Sequence, residues 1–151
     1  MNSASLTGKD TTIIDDRIFE DFGEGDVVSI EFPDDLVEAK VGKNGNVIYV
    51  FKNTGKRANV TIRVLLGSKD DKFLNSKLSL YEQNPPAFIL MDADFIKKVG
   101  DGKGNITNVI YNFSGGLMKK YPGTKENTDG DIEQAIAIWE IIFGNSRRIE
   151  S

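Results

Sequence analysis

Asp92 and Asp94 form a carboxylate pair that could support acid–base or metal chemistry. Paired carboxylates act as acid and base in glycoside hydrolysis, and they hold the metal ions of phosphodiester cleavage. Two Asp residues spaced in this way at the end of a predicted strand are far more often turn formers. We therefore predict no enzyme activity and keep a carboxylate enzyme as an alternative.

Histidine and cysteine are absent from the 151-residue chain, which removes most other mechanisms. Without Cys there is no thiolate nucleophile, redox couple, disulfide or zinc ribbon. Without His there is no imidazole base, no Ser-His-Asp triad and no imidazole metal site. Ser114, in Asn-Phe-Ser-Gly-Gly, lacks both the nucleophile-elbow pattern and a His to activate it.

Two loop-like segments resemble ligand-binding motifs but fail on spacing. Residues 100–104 are rich in glycine, yet they match neither a Walker A loop nor the dinucleotide-binding pattern. Residues 127–131 resemble a calcium loop, but the alignment puts Lys125 and Ile136 where carboxylates are required. The sequence therefore predicts no catalytic residue, cofactor or metal.

The elements that would position any site are mostly strands with a period of two. Residues 26–32, 37–41 and 60–66 show this alternation, and residues 47–51 form a continuous β-rich run. The Asn-Gly pair within residues 42–46 is a strong hairpin signal, because both residue types tolerate positive φ. The last three of these strands predict a β-meander.

One stretch has helical periodicity, and it predicts a helix near residues 69–81. Ser68 is the expected N-cap, with Asp71 placed as in a capping box and Pro85 following the helix. One face carries a mostly apolar stripe: Phe73, Leu74, Lys77, Leu78 and Tyr81.

The second half of the chain predicts further strands. Residues 87–91 form a short strand, residues 92–105 a loop, and residues 106–113 and 116–121 a hairpin. Residues 134–143 are expected to be a strand, with a helix as the alternative because of Ala135 and Ala137. The fold class predicted is mainly β: an antiparallel β-barrel or sandwich with one flanking α-helix.

The domain organisation predicted is simple. We expect a flexible arm over residues 1–12, a single β domain over residues 13–145 and a polar tail over residues 146–151. No stretch has the length of a membrane span, and the first residues lack the apolar region of a signal peptide. We therefore expect a protein made in a cytoplasm without a membrane anchor.

Charge is distributed unevenly along the chain. Residues 1–40 carry 11 acidic and 3 basic side chains, whereas residues 41–151 carry 12 acidic and 16 basic ones. The net charge of −4 thus divides into −8 and +4. One half can attract the other half of a neighbouring copy, although acidic runs are equally often only solvated.

Several stretches resemble phage tail tube proteins, above all those of contractile-tailed phages and related tail-like particles. The resemblance lies in residues 26–32, 41–47, 55–62 and 66–71, and it continues through Leu74 and Leu78 in the predicted helix. It covers most of residues 20–143, and residues 119–133 depart from it.

The resemblance implies hexameric rings whose strands join into one inner barrel and whose stacking builds a tube. Such a tube conducts DNA from the virion into the host cell without binding it specifically. The implied partners are sheath, baseplate or initiator, and tail-terminator proteins, and the implied location is the virion tail after assembly in the host cytoplasm. The alternatives are a tail terminator, a baseplate hub, a host-binding β module or the tube of a tail-like bacteriocin.

Under this hypothesis the polar strand faces line the lumen. We expect Glu31 and Glu38 to face the lumen, with Lys40 and Arg63 in salt bridges between strands or copies. A net acidic lumen would let DNA slide, because each basic phosphate contact adds affinity. The alternative is a sheet whose polar face is exposed to solvent and lines no lumen.

The hairpin turn is the expected contact with the adjacent ring, through Lys43, Asn44, Gly45 and Asn46. The alternative is that residues 1–12 and 122–131 make the ring-to-ring contacts.

Overall fold

The computed structural model describes residues 5, 6, 10–23, 25–124, 126 and 135–151. One α-helix, α1 (Lys69–Gln83), and 3₁₀ turns at Asn53–Lys56 and Pro85–Ala87 interrupt a series of strands. The strands are β1 (Ser5–Leu6), β2 (Thr11–Ile14), β3 (Arg17–Ile18), β4 (Val28–Glu31), β5 (Val37–Val41), β6 (Val47–Phe51), β7 (Ala58–Leu65), β8 (Met91–Gly100), β9 (Ile106–Gly123) and β10 (Ile136–Glu150).

Most of the strands form one antiparallel sheet that is curled but not closed. Its order is β3-β2-β8-β9-β10-β7-β4, with β1 also paired to β8. Side chains from distant parts of this order meet across the core: the Phe32 ring, just beyond β4, stacks 6.4 Å from the Phe113 ring of β9. The predicted class, mainly β and antiparallel with one helix, is confirmed in its sandwich-like form rather than as a barrel.

The core face of the sheet follows strict alternation along β7 and β10. Every second residue of β7 from Ala58 to Val64 is buried. Trp139 of β10 lies opposite Ile62 and is also buried. Gly116 of β9 lets the Phe143 ring approach its backbone, because a Cβ there would fall 2.4 Å from Cε1 of Phe143.

Helix α1 caps one end of this core and confirms the predicted helix. Ser68 Oγ accepts a hydrogen bond from the Asp71 N–H at 3.2 Å, as an N-cap does. In a full capping box the Asp71 side chain would accept from the Ser68 N–H. Here Asp71 Oδ2 accepts instead from the Gly67 N–H. Leu74 and Leu78 of the predicted stripe are buried.

The buried carboxylate of Asp70 ties the start of the helix to the chain after β3. Its oxygens accept hydrogen bonds from Arg17 Nε at 3.0 Å and from the backbone N–H groups of Glu20 and Asp21 at 2.8 Å. A buried charge needs such partners, so these contacts position the N-terminal strands against α1.

The predicted β-meander is wrong, because β6 does not pair with β7. Strands β5 and β6 form a separate two-stranded sheet, while β7 lies between β4 and β10. The chain leaves the hairpin through a 3₁₀ turn in which Gly55 crosses the backbone of Leu36. A Cβ on Gly55 would lie 2.5 Å from Leu36 Cα, so only glycine permits this crossing.

Strand β8 contradicts the predicted strand at residues 87–91 and the predicted loop at 92–105. The two prolines begin a 3₁₀ turn, and the strand starts only at Met91 and continues to Gly100. Its charged residues Asp92 and Asp94 alternate with buried Ala93 and Phe95. The sequence predicted a loop here because charged residues occupy the solvent-facing positions of this strand.

Strand β9 is also a single strand where a hairpin was predicted. It runs for 18 residues, with an irregularity opposite Met91 and Ala93 of β8. Gly115, at φ +69°, allows this bulge. The Ser-Gly-Gly segment therefore bends a strand instead of reversing the chain.

Both predicted chain ends are partly in strands. Residues 146–150 belong to β10 and pair with β9, and Ser151 exchanges two backbone hydrogen bonds with Asn108, so the predicted polar tail is ordered sheet. Its polar side chains occupy mostly solvent-exposed positions of a strand and do not indicate a free chain end. In the predicted arm, Ser5–Leu6 pair with β8 and Thr11 with Ile96, whereas residues 1–4 and 7–9 lie outside the described part.

Candidate self-association surface

The β5–β6 hairpin has one polar and one apolar face. The register pairs Val37 with Phe51 and Val41 with Val47, so side chains at alternate positions share a face. We call the apolar face the six residues Val37, Ala39, Val41, Val47, Tyr49 and Phe51. The polar face carries Glu38 and Lys40, together with Ile48 and Val50.

The apolar face is exposed along its whole length. Val41 and Tyr49 each expose 71% of their surface, and Phe51 exposes 56%. An isolated two-stranded hairpin is marginally stable in water, and uncovered strand edges rich in Val, Ile and aromatic residues promote association. The face has the residue composition of a hydrophobic core, but no other part of the described chain packs on it.

The two segments at the base of the hairpin are joined to each other by side-chain and backbone contacts. Arg57 Nε contacts Asp34 Oδ2 at 2.9 Å, and the Lys52 N–H donates to the Leu36 carbonyl at 2.8 Å. Lys52 Nζ lies 2.6 Å from Glu38 Oε2, and the hydrogen bond and charge of Glu38 raise the pKa of Lys52. One bond links this region to the large sheet: the Ser146 hydroxyl of β10 donates to the Lys56 carbonyl, in the turn after the hairpin, at 2.8 Å.

The turn predicted to contact an adjacent ring lies at the exposed end of the hairpin. The Gly42 N–H donates to the Asn46 carbonyl at 2.7 Å, and Gly45 has φ +80°. Lys43, Asn44, Gly45 and Asn46 are all exposed.

The four residues predicted to line a lumen fall into two separate pairs. Glu31 lies opposite Asn59, and alternation places it with Arg63 on the sheet face away from the core. Glu38 and Lys40 lie instead on the polar face of the hairpin, with Lys40 Nζ 4.0 Å from Glu38 Oε1. The Lys40 pair is therefore within one strand, not between strands.

The outer face of the large sheet has mixed charge. Besides Glu31 and Arg63, it carries Glu140, which lies opposite Thr61 of β7. Lys120 of β9 reaches Glu140, with Nζ 3.5 Å from Oε2. Alternating signs make no continuous basic surface for phosphates along these strands.

The Asp92 and Asp94 pair of the enzyme alternative lies beside the β2–β3 turn. With Asp15 and Asp16 it lines a shallow depression of about 70 Å³. Asp15 is already engaged, because its Oδ1 accepts from the Asp92 N–H and its Oδ2 lies 2.9 Å from Lys77 Nζ. Among the described residues, no group of carboxylates is arranged to hold a metal ion.

A cleft of about 400 Å³ separates β4 from β2 and β8, where the curled sheet fails to close. We call it the seam cleft, and its lining includes Val28, Ile30, Phe95 and Tyr111. Sequence reasoning missed it, because no local pattern reports which distant strands leave a gap. It also missed that the apolar face of the hairpin is exposed, although the Asn-Gly turn predicted the hairpin itself.

A helix long and apolar enough to cross a membrane does not occur in the described part of the chain.

Comparison with solved structures identifies the fold. No protein-family model matches the chain, and no curated protein matches it. A chain of the sheath–tube complex of an extracellular contractile injection system (PVC, extended state) aligns with TM-score 0.59 and 16% identity, over 96% of this chain and 89% of that one.

Two further structures share the fold. One is from the sheath/tube terminator of the same PVC system, with TM-score 0.59, 16% identity and coverage of 96% of this chain and 94% of that one. The other is from the tube-terminating cap of the anti-feeding prophage, with TM-score 0.57, 12% identity and coverage of 96% and 89%. The chain has the fold found in contractile-injection tube and terminator assemblies, as the resemblance to tail tube proteins predicted.

Proposed function

We propose that this protein is a structural subunit of the tube of a contractile injection system or phage tail, and that it acts by binding copies of itself. The observation that carries the proposal is the exposed apolar face of the β5–β6 hairpin. Covering such a face with a partner removes its apolar surface from water and stabilises the hairpin. The shared fold supplies the class of assembly to which such a subunit would belong.

The finer part of the proposal is a tube of stacked hexameric rings inside a sheath, located in the tail of the particle and started by a baseplate or initiator complex. Within each ring one heterologous contact repeats until the ring closes. The hairpin turn at Lys43–Asn46 then contacts the adjacent ring. This role needs no catalytic residue.

Cargo passage is the most specific part of this proposal. Glu31 and Glu38 would line the lumen together with Lys40 and Arg63, so that DNA passes without being held. Paired or interspersed charges support weak retention, because affinity for DNA rises with each uncompensated basic contact. Assembled tubes should therefore retain no DNA in a filter-binding assay at physiological salt.

A terminator at the end of such a tube is the second candidate function. The likeness to a sheath/tube terminator is as strong as the likeness to the sheath–tube complex. A terminator binds the tube end and stops growth, whereas a tube subunit continues it. Ring assembly without stacking would favour the terminator.

Electron microscopy of the purified protein, with and without deletion of Lys43–Asn46, tests the proposal. The unmodified protein should form rings or tubes, and the deletion should block stacking while circular dichroism shows a folded subunit. The matched control replaces Lys43 and Asn44 by serine and so keeps the turn's length. Tubes from the deletion variant would overturn the role of the turn, and a protein that stays monomeric even with its initiator complex would overturn the function.

A further inference from the structure

The turn of the β5–β6 hairpin contains the chain's single Asn-Gly dipeptide, Asn44-Gly45. The Gly45 N–H donates to the Gly42 carbonyl at 3.0 Å, and the Gly42 N–H donates to the Asn46 carbonyl at 2.7 Å. Gly45 has φ +80°, the left-handed conformation with which a three-residue hairpin loop ends. The dipeptide that forms this turn also carries a reaction of its own.

An asparagine that precedes a glycine can be attacked by its own backbone. The Gly45 nitrogen loses its proton and bonds to Cγ of Asn44, and the side-chain nitrogen takes up a proton and leaves as ammonia. A five-membered succinimide ring remains. Water then adds to either carbonyl of the ring and gives an aspartyl or an isoaspartyl residue. Water is the only co-reactant, and the chain is neither oxidised nor reduced.

The surroundings of Asn44 leave this reaction unobstructed. Asn44 and both of its neighbours are exposed, so water and dissolved bases reach the reacting atoms. A Cβ built on Gly45 would meet nothing within 4 Å. Since glycine itself has no side chain, its nitrogen can approach Cγ without hindrance.

The hydrogen bonds of the turn restrain the nucleophile. The Gly45 N–H must lose its proton to react, and in the structure it is bonded to the Gly42 carbonyl. The attack therefore requires the turn to open. A two-stranded hairpin on its own is marginally stable in water, and exposed elements of this kind open at a low cost in free energy. The unassembled subunit thus offers the reaction a route through the opened turn.

The turn between β8 and β9 contains a related dipeptide, Asp101-Gly102, whose side chain is held differently. Asp101 Oδ1 accepts from the Lys103 N–H and Oδ2 from the Asn105 side chain, both at 2.7 Å. These bonds favour the ionised carboxylate, whereas ring closure requires the protonated acid, which can release water. We therefore expect the reaction at Asp101 to be much slower than at Asn44, so the chain supplies its own comparison.

We propose that Asn44 is a site of spontaneous deamidation in the unassembled subunit, and that the modified turn no longer supports assembly. The new carboxylate adds a negative charge beside Lys43. The isoaspartyl form also lengthens the backbone of a turn that two hydrogen bonds close. The modification itself depends on the turn alone, whereas its effect on assembly rests on the proposed function, in which the turn contacts the adjacent ring.

Peptide mapping by mass spectrometry tests the modification. The purified protein is kept in mildly alkaline buffer, either native or unfolded in urea, and the products at each Asn and at Asp101 are followed over time. In the native protein Asn44 should convert at least about tenfold faster than Asn75, an exposed residue held within α1, and more slowly than in urea. The matched control is Asn44→Gln, which keeps the amide and the charge but would have to close a six-membered ring.

The native and unfolded rates decide between the outcomes. Conversion at Asn44 in the native protein, absent from Asn44→Gln, supports the site. No conversion in the native protein, over a time in which the unfolded chain converts, would overturn it. Equal rates in the two states would overturn the requirement that the turn opens.

A second measurement tests the effect on assembly. Partly deamidated protein is assembled, and the modified fraction is compared between the rings or tubes and the unassembled remainder. The modified form should be depleted from the assemblies. Equal fractions would overturn the effect on assembly and leave the proposed function standing. If fresh, unmodified protein forms no assemblies even with its initiator complex, the proposed function and the effect on assembly both fail, while the deamidation measured by peptide mapping stands.

Discussion

The large sheet and the β5–β6 hairpin are built from the same kinds of residue but differ in what covers them. Val60, Ile62 and Val64 of β7 are fully buried, whereas Val41 and Tyr49 of the hairpin are each 71% exposed. Strands β7 and β5 both alternate apolar and polar side chains. The difference is the second layer: the curled sheet and α1 cover β7, and nothing in the described chain covers the apolar face of the hairpin. Alternation of apolar and polar residues gives a strand one apolar face. That face becomes part of a core only where another layer of the fold packs on it.

Replacing Trp139 by alanine should have the largest effect on the covered region. Trp139 is buried, and its Nε1–H donates to Asp71 Oδ1 at 2.9 Å. We expect the free energy of unfolding to fall by about 3–5 kcal/mol from lost packing. Urea unfolding followed by circular dichroism measures this, since the variant lacks the chain's single Trp. A loss below about 1 kcal/mol would contradict the assignment of this residue to the core.

Removing the Asp70 carboxylate should destabilise the protein somewhat less. Asp70→Ala leaves two backbone N–H groups and Arg17 without their acceptor. We expect a loss of about 2–4 kcal/mol, because buried partners of a charge are costly to leave unpaired. The control is Asp92→Ala, at an exposed position, and thermal unfolding of both variants makes the comparison. Equal stability of the two would show that the buried contacts contribute nothing.

Adding a methyl group at Gly55 affects the junction between the two regions. Gly55→Ala forces Cβ against the Leu36 backbone, which must move, and we expect about 1–3 kcal/mol of destabilisation. Gly123→Ala is the control, since a Cβ there meets nothing within 4 Å. Assembly should also weaken, because the direction of the hairpin changes. Unaltered stability and assembly would argue against a fixed crossing.

The turn between β8 and β9 should make a small contribution to the pH dependence of the free energy of unfolding. Hydrogen bonds from the Asn105 side chain and then the Lys103 N–H lower the pKa of Asp101 below its ordinary 3.8. A lowered folded-state pKa means that this contribution is present above pH 3.8 and is lost as the pH falls through the folded value. Unfolding measured from pH 5 to pH 2 should show a shallower acid loss for Asp101→Asn, and identical slopes would exclude the effect.

Changes on the apolar face of the hairpin should have the smallest effect on folding. Val41→Ser with Tyr49→Ser should change the free energy of unfolding by no more than about 0.5 kcal/mol per site, because both side chains are already exposed. Ring or tube formation, followed by light scattering, should nevertheless be lost. A large loss of monomer stability would mean that the face is covered within its own subunit.

The elements that were predicted correctly are those whose signals are local. Helix α1 follows from the Ser68 cap and the apolar stripe, and the β5–β6 hairpin follows from its Asn-Gly turn. Both depend on contacts between residues close in the chain. The sequence therefore sufficed for the position of the turn at residues 43–46.

Strand partners could not be predicted in the same way. Strand β7 pairs with β10, whose residues come more than 70 positions later, and no local pattern identifies such a partner. The glycines of β9 permit either a turn or a bulge, and only pairing with β8 on one side and β10 on the other decides for the bulge. The seam cleft depends on these long-range pairings, so it could not be predicted from the sequence.

The register of the strands also sets the order in which they can form during synthesis. Val37 pairs with Phe51, so both strands of the hairpin are available for pairing once that short stretch has left the ribosome. Thr12 pairs with Phe95, so the large sheet must wait for most of the chain. Local pairings form faster than distant ones, and domains fold only as their residues emerge. The strands of the hairpin can therefore pair during synthesis before the large sheet has its partners.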